Sequence, residues 1–387
     1  MNRLTVEHLT DAAQLPALEP EWAALAAAHG EGLPFRTFEW AETWCRWFPE
    51  RRFAIRDSLC FRLFRDPGGR LVGVAPLILV RRPGCGPALV RGLEFLGADP
   101  YVTEIRGVLA DPAWEAEVYR ALLADLEAHA GEWDWIRWRG VPAGSAAAAA
   151  LGSAGAPLVV PTPSYVVPLA GDWETFKSSR PRNLKESLRK CYNSLKRDGH
   201  AFELGVARTE HEVRTALERF LELHRLRAEA EVSTRHPNVF ADPACRAFLF
   251  DVCQRLAARD AVRIFQLRIR GEVVATRIAF ALGDTLYVYF SGYDPAWQKY
   301  SVMTTTVAEA VKYAFASGFK RLHLSTGTDE SKLRWRPDCT TYLSGEQPGT
   351  GRRAAGLRWL TGTACAPGID PVRRAMRAVL GRKRAAG

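Results

Sequence analysis

The segment Phe265-Gln-Leu-Arg-Ile-Arg270 decides the fold, because apolar and polar side chains alternate along it. This pattern predicts a strand with one buried face. Two turns that contain glycine follow, Gly271-Glu272 and Gly283-Asp284, and each leads into another run of apolar residues. Strands joined by such turns are typical of an antiparallel meander. We therefore predict strands over 265–270, 273–282 and 286–290.

The hydrophobic period changes after the third predicted strand. From Ser301 to Ser317 apolar residues recur at helical spacing, and Gly318 stands where a helix C-cap belongs. Residues 321–325 then predict a strand that returns beside the third one and makes the sheet mixed. Ligands of such sheets bind where strand ends meet a helix N-terminus, since free N–H groups and the helix dipole attract anions there. Here that position is 294–301.

Several short motifs occur in a shared order from about Ser164 to Thr341. They are Leu223-His-Arg-Leu-Arg227, Phe248-Leu249, Gly271-Glu-Val-Val-Ala275, Gly292-Tyr-Asp-Pro-Ala-Trp297 and Lys332-Leu-Arg-Trp335. In this order they resemble the acyl-CoA N-acyltransferase (GNAT) core, in the branch of CelD/BcsL-type acetyltransferases of cellulose biosynthesis. The resemblance implies an acyltransferase that uses acetyl-CoA or another acyl-CoA.

The first half of the chain repeats the order of these elements. A hairpin signal at Asp66-Pro-Gly-Gly69 precedes Gly97-Ala-Asp-Pro-Tyr101, a predicted helix over 114–130 and a strand over 133–138. This order resembles the tandem GNAT architecture of FemAB-type proteins, although chance similarity of short Asp-Pro turns would explain it equally. We predict an α/β (α+β) fold with two GNAT-like domains, each a mixed, mostly antiparallel sheet flanked by helices. The predicted boundaries are 1–143, a linker 144–163, a catalytic domain 164–345 and a basic tail 346–387.

Composition and charge narrow the class of protein. The 387 residues suffice for two domains, and the sequence has neither a signal-peptide pattern nor an apolar run of membrane-spanning length, so we expect a cytoplasmic protein. The eight cysteines include no Cys-x-x-Cys pair, so we expect no metal site. Residues 350–387 hold nine basic residues and one acidic residue, which accounts for most of the net charge of +10. A nucleic-acid-binding fold would carry its charge on a structured face instead.

The resemblance also implies which residues bind the acyl-CoA donor; we call this part of the predicted site the donor end. GNAT enzymes hold the CoA pyrophosphate with a Gln/Arg-x-x-Gly-x-Gly/Ala loop, and Ser301 and Met303 stand here at the two small positions. The candidate cofactor-binding residues are Gln298, Lys299, Ser301, Val302 and Thr304.

The catalytic candidates each have a structural alternative. Asp294 is placed to act as a base or to cap a turn, and Tyr300 to protonate the departing thiolate or to pack. His224 matches the family pattern, yet a lone histidine on a helix is commonly a packing residue. The candidate substrate-binding residues are Arg227, Glu330, Lys332 and Trp335, with a structural ion pair of Lys332 to Asp329 or Glu330 as the alternative.

Three functions fit these observations. The first is transfer of an acyl group, acetyl above all, to an amine or hydroxyl of a sugar, polysaccharide precursor or other small metabolite. The second is a FemAB-like transferase that takes an aminoacyl group from charged tRNA, whose phosphates the basic segment 173–197 would contact. The third is a non-catalytic accessory subunit of a polysaccharide synthase, docked to that partner or to an anionic membrane surface by the basic tail. A disordered solubilising tail is the alternative for that last segment.

Overall fold

The computed structural model describes residues 4–83, 89–99, 101–230 and 236–361. The strands are β1 (Thr5–Leu9), β2 (Arg51–Arg52), β3 (Ile55–Leu59), β4 (Phe61–Arg65), β5 (Leu71–Ala75), β6 (Leu77–Pro83), β7 (Leu89–Phe95), β8 (Leu109–Ala110), β9 (Trp135–Pro142), β10 (Val160–Pro168), β11 (Phe202–Ala207), β12 (Val262–Ile269), β13 (Glu272–Leu282), β14 (Thr285–Tyr293), β15 (Arg321–Thr326) and β16 (Asp338–Pro348). The helices are α1 (Glu19–His29), α2 (Phe38–Trp47), α3 (Glu115–Ala128), α4 (Ala146–Ser153), α5 (Trp173–Ser179), α6 (Arg182–Arg197), α7 (Glu210–Glu229), α8 (Pro243–Ala257), α9 (Val302–Ala316), α10 (Glu330–Leu333) and α11 (Arg352–Thr361).

One long sheet runs through both halves of the chain. Its strand order is β11-β12-β13-β14-β15-β10-β16-β9-β7-β6-β3-β2, and a smaller sheet has the order β1-β4-β5-β8. The pairs β14–β15 and β7–β9 are parallel, and each is reached through a crossover helix, α9 or α3. The remaining neighbours in the long sheet are antiparallel. The predicted fold class, a mixed and mostly antiparallel sheet flanked by helices, is confirmed.

The predicted meander agrees with the structure. Strands β12, β13 and β14 pair in sequence, α9 follows, and β15 returns beside β14. The third strand extends three residues beyond its predicted end, from Phe290 to Tyr293. This extension places the Gly292-Tyr-Asp-Pro motif at the end of a strand, directly before the turn that leads into α9.

The segment 144–163 is not a free linker. The alanine-rich run Ala146–Ser153 forms α4, because alanine has the highest helix propensity and Ser145 caps the helix by accepting from Ala148 N at 3.2 Å. Residues 160–163 belong to β10, which lies between β15 and β16. Strand β16 also continues past residue 345 and pairs with β9. The two halves thus share one sheet, and the division into two domains stays a prediction.

Aromatic packing connects the halves on one face of the long sheet. Trp40 on α2 is fully buried and meets Phe248 on α8 edge-to-face at 5.0 Å between ring centroids. Trp44 on the same helix is buried as well, whereas Trp47 is 40% exposed. Helices α7 and α8 thereby hold the first half of the chain against β14, which brings residues of that half to the edge of the second.

The basic tail lies largely outside the described residues. Its described part, 346–361, comprises the end of β16 and helix α11, and the rest of the predicted docking segment, 362–387, lies outside the described residues. Among the described residues, no helix has both the length and the apolar composition required to cross a membrane.

Candidate active site

The strands β14 and β15 lie side by side over a short distance only. Their parallel pairing joins Thr285–Tyr287 to Arg321–His323 and ends there, while β14 continues to Tyr293. Strand β15 stays paired with β10 on its other edge as far as Thr326. Residues 288–293 of β14 and 324–326 of β15 are therefore not paired with each other. We call the gap between these two stretches the seam. Helix α9 begins close to the end of β14, so its N-terminus lies at one end of the seam.

Glu104 reaches the other end of the seam from the first half of the chain. Its carboxylate accepts hydrogen bonds from Tyr287 Oη at 2.5 Å, Ser325 Oγ at 2.6 Å and the backbone N–H of Thr326 at 3.2 Å. Ser325 has φ of +69°, a left-handed conformation that is uncommon for a residue other than glycine. Such strained backbone is characteristic of functional sites. The contacts fix an acceptor carboxylate beside the point where β14 and β15 part.

The segment that carries Glu104 is held in place by a buried aspartate. Asp99 Oδ1 accepts from the backbone N–H groups of Val102 at 2.6 Å and Thr103 at 3.2 Å. Its other oxygen accepts from Trp44 Nε1 at 2.9 Å. These bonds order the long connection between β7 and β8, so Glu104 is presented by a fixed backbone.

His323 and Tyr287 form the wall behind Glu104. Their rings stack at 4.3 Å between centroids, and both side chains are buried. His323 Nδ1 accepts from the backbone N–H of Ser325 at 3.1 Å, so the ring carries its proton on Nε2 and donates it to Ser164 Oγ at 3.0 Å. Burial lowers the pKa of His323 to about 3, and burial together with the nearby Glu104 raises the pKa of Tyr287. The imidazole is therefore neutral, and Tyr287 remains a hydrogen-bond donor.

Acidification is expected to destabilise the protein through His323. Its pKa is lower in the folded protein than in the unfolded chain, so its contribution is complete above about pH 6.5 and is lost as the pH falls toward 3. In His323→Asn, the free energy of unfolding should depend less steeply on pH across that window. Urea denaturation at several pH values measures this, and equal slopes in both proteins would contradict it. His211→Asn, at an exposed position of α7, is the matched control.

Two arginines flank Ser291 within the seam. Arg277 on β13 lies directly opposite Ser291 in the strand register, and Arg227 on α7 donates from Nη1 to Ser291 Oγ at 2.6 Å. Arg227 also contacts His236, 2.8 Å from its Nη2, and its pKa is lowered by burial. Burial, and next the charge of Arg227, lowers the pKa of Arg277 to about 10. Ser291 thus contacts one guanidinium group and has a second arginine as its strand-register partner.

Glycine 292 allows α7 to approach β14 closely enough for these contacts. A Cβ on residue 292 would lie 2.5 Å from the backbone N of His224 and 2.7 Å from the carbonyl carbon of Leu223. In this packing His224 Nδ1 lies 3.1 Å from the Ser291 carbonyl oxygen, and burial lowers the pKa of His224. The close approach explains why a glycine occupies this position in the Gly292-Tyr-Asp-Pro motif.

The second half of the chain matches one known protein family. Residues 182–333, from the start of α6 to the end of α10, match the model of the acetyltransferase (GNAT) domain. The match supports a GNAT acetyltransferase domain in the second half of the chain. The domain supports an acyltransferase activity for the protein. No curated protein matches the chain in sequence.

Solved structures with similar folds extend over nearly the whole chain. FemX is 13% identical, with a TM-score of 0.58 over 92% of this chain and 99% of its own. A tandem GNAT protein from the clavulanic acid biosynthesis pathway is 12% identical, with a TM-score of 0.48 over 90% and 99%. L-PGS from Bacillus licheniformis is 12% identical, with a TM-score of 0.46 over 92% and 97%. The likeness to FemX shows that both halves of the chain belong to one shared fold.

The predicted cofactor-binding residues lie at the α9 end of the GNAT domain. Gln298 and Lys299 are exposed on the turn before α9, Ser301 is its exposed N-cap, and Val302 is buried. The backbone N–H groups of Thr304 and Thr305 donate to the Ser301 carbonyl, while Thr304 Oγ1 accepts from Arg334 at 3.1 Å. The backbone N–H groups of Val302 and Met303 precede these bonds in the first turn of α9, and their binding of an anion stays a prediction.

The predicted catalytic residues have structural partners. Asp294 caps the turn by accepting from Ala296 N at 2.9 Å. Tyr300 is buried, and its hydroxyl donates to Asp198 at 2.9 Å beside His200. Among the described contacts, neither Asp294 nor Tyr300 is hydrogen-bonded to Glu104. The capping alternative accounts for Asp294, and a packed hydrogen bond accounts for Tyr300.

The predicted substrate-binding residues divide into two groups. Arg227 lies in the seam, and Lys332 lies near it, donating to the carbonyl oxygens of Thr326 at 2.5 Å and Gly327 at 3.2 Å. Glu330 is exposed at the start of α10. Trp335 is 1% exposed and stacks on Phe176, so its ring belongs to the hydrophobic core. The prediction that this side chain contacts the substrate is corrected accordingly. Lys332 also pairs with Asp329 at 3.2 Å, the ion pair predicted as its alternative.

Sequence reasoning missed Glu104, Tyr287, His323 and Arg277. Arg277 had a usable signal, because it is the one charged residue in the largely apolar run 273–282 of β13. Glu104 had none, since it lies in an irregular segment without any periodicity.

A group in the first half of the chain has the residue types of a metal site. The ligand atoms of His8, Asp125 and His129 lie within 4.8 Å of one another. Arg62 donates to the same Asp125 carboxylate at 2.5 Å, which opposes a bound cation. The expected absence of a metal stays a prediction.

Proposed function

We propose that the protein transfers an acyl group, acetyl above all, from acyl-CoA to an amine or hydroxyl of a small acceptor, and that the reaction takes place in the seam. The single observation that carries this proposal is the separation of β14 and β15 between an anion-attracting helix N-terminus and a fixed carboxylate. A thioester arm laid along the unpaired backbone of β14 would join these two ends. A sugar or polysaccharide precursor as acceptor, as in the CelD/BcsL-type branch, is part of this proposal.

The donor end is able to hold phosphate without glycine. Ser301 has φ of +52° and ψ of +44°, the left-handed conformation that glycine adopts readily. The backbone of the pyrophosphate loop therefore keeps the course that a glycine would give it. Exposed Lys299 and Gln298, together with the Val302 and Met303 amides, supply the positive charge and the donors.

The acceptor end supplies the proton chemistry. The nucleophile attacks the thioester carbonyl carbon, the new C–N or C–O bond forms, and the C–S bond breaks. Glu104 takes the proton of the nucleophile, and the proton then passes to the departing CoA thiolate. Tyr287 and Ser325 hold the carboxylate in position, and unpaired N–H groups of β14 polarise the carbonyl.

Acetyl-CoA is expected to raise the melting temperature of the wild-type protein, because it binds the folded state alone. In Gln298→Glu the added charge should repel the phosphates and weaken acetyl-CoA binding about tenfold. Gln298→Ala, which removes a donor without adding charge, should have a smaller effect. Because residue 298 is exposed, both variants should fold. Titration calorimetry measures the affinities, and equal affinities in all three proteins would place the phosphates elsewhere.

A second candidate donor is aminoacyl-tRNA. Helix α6 presents an exposed basic face consisting of Arg182, Lys185, Arg189, Lys190, Lys196 and Arg197. Only Arg182 and Arg197 of this set have acidic partners among the described residues, Glu186 and Asp198. Binding of charged tRNA that weakens steeply with salt, without any response to acetyl-CoA, would favour this donor. Two further proposals rest on the sequence. The tail docks to a membrane or a synthase, and the protein is located at the cytoplasmic membrane face.

A further inference from the structure

Arg277 is an unusual residue for the middle of a sheet. It stands at the centre of β13, half-buried, with Phe265 of β12 and Ser291 of β14 as its cross-strand neighbours. It forms no hydrogen bond or ion pair with any residue that the structure describes, and its Nε is buried without a partner. Burying an unpaired charge is costly, so such groups are normally paired. Arg277 therefore has an unused hydrogen-bond donor for an anionic partner.

Arg227 has the same need at the same place. Its Nη1 is used by Ser291 and its Nη2 by His236, but its Nε is also buried without a partner. Arg277 is the strand-register partner of the same Ser291, and the charge of Arg227 acts on it, so the two arginines belong to one part of the seam. Their mutual repulsion is relieved when an anion lies between them.

The acidic groups nearby are already engaged. Glu104 accepts from Tyr287 and Ser325, and Asp329 pairs with Lys332, so neither forms an ion pair with Arg277. The three cations are Arg227, Arg277 and Lys332, and the two carboxylates are Glu104 and Asp329. Together these groups carry one net positive charge. A single negative charge balances it, whereas a phosphate dianion would exceed it. A planar carboxylate also matches the two-pronged geometry of a guanidinium.

We propose that Arg277 and Arg227 bind a carboxylate group of a substrate beside Ser291. The role of this contact in catalysis rests on the proposed function, but binding itself does not require turnover. The carboxylate has two sources within an acyl transfer. It belongs either to the acyl chain of the donor, as in a dicarboxylic acyl-CoA, or to the acceptor, as in an amino acid or a sugar acid.

The experiment compares wild type, Arg277→Met and Arg268→Met, a matched control on the neighbouring strand. The donor arm measures the affinity for succinyl-CoA against acetyl-CoA by calorimetry. The acceptor arm measures thermal stabilisation by amino acids and uronic acids against their amides, with inorganic phosphate as a separate probe. In wild type we expect the carboxylate ligand of one arm, succinyl-CoA or the free acid, to bind about 10–100-fold more tightly than its uncharged counterpart, acetyl-CoA or the amide. In Arg277→Met this ratio should fall below about twofold, while Arg268→Met retains it.

The stability of the ligand-free protein gives a second readout. Because Arg277 has no partner, Arg277→Met should raise the melting temperature by a few degrees, whereas a structural arginine would lower it. A lowered melting temperature, equal binding of acids and amides in both arms, or stabilisation by phosphate alone would each overturn the proposal. If acetyl-CoA neither binds nor reacts while carboxylates stabilise wild type through Arg277, the proposed function fails and the carboxylate site stands.

Discussion

Replacing Glu104 with glutamine is expected to lower kcat by about 10²–10⁴-fold, the range for loss of a general base. Glutamine has nearly the same shape, and its oxygen still accepts from Ser325 and the Thr326 amide. The backbone of residue 104 is held by the bonds of Asp99, so the fold should survive. The assay measures acetyl transfer to an amine through the release of CoA thiol. The melting temperature of the same preparation is measured as well.

The control for this variant is Glu203→Gln, which removes a carboxylate from the largely exposed strand β11 without touching the seam. It should retain full activity. If Glu104→Gln keeps more than a third of the wild-type kcat, Glu104 is not the base, and the proton passes to another group in the seam. If acetyl-CoA still binds Glu104→Gln with wild-type affinity while kcat falls, the loss lies in the chemical step.

The second large effect is expected for Gly292→Ala, which should destabilise the protein by about 1–3 kcal/mol. The added methyl group would meet backbone atoms of α7 at 2.5 and 2.7 Å, and backbone cannot rotate away as a side chain can. Helix α7 must therefore move outward, which lengthens the contact of Arg227 with Ser291. Urea denaturation measures the loss of stability, and activity should fall with it.

Gly152→Ala is the matched control, since it makes the same chemical change in an open position. Residue 152 is exposed on α4, and a Cβ there meets nothing within 4 Å. Alanine should stabilise this helix by about 0.5–1 kcal/mol, so the two variants are expected to differ in sign. An unchanged urea midpoint in Gly292→Ala would show that α7 adapts without cost.

The elements of the GNAT domain were predictable because their signals are local. Alternation in β12, the glycine turns and the helical spacing in α9 each concern residues a few positions apart. The strand end, the turn and the helix N-terminus at 293–302 were predictable for the same reason, since they follow one another along the chain, whereas donor binding there stays a proposal. The sequence left both a loop and a frayed helix open for 144–155, because an alanine-rich run between glycines and serines is compatible with either, and the structure has α4 with its Ser145 cap there.

The sequence by itself determined the strands, the crossover helix and the turn before it, since these depend on neighbouring residues and on backbone preferences. Only the tertiary structure decided which side chains meet in the seam. Glu104 and Tyr287 are 183 positions apart, and Arg227 and Ser291 are 64 apart. Their contacts depend on the packing of α7 against Gly292 and on the sheet shared by both halves. No short stretch of sequence carries that information, because burial and charge pairing arise only when distant segments come together.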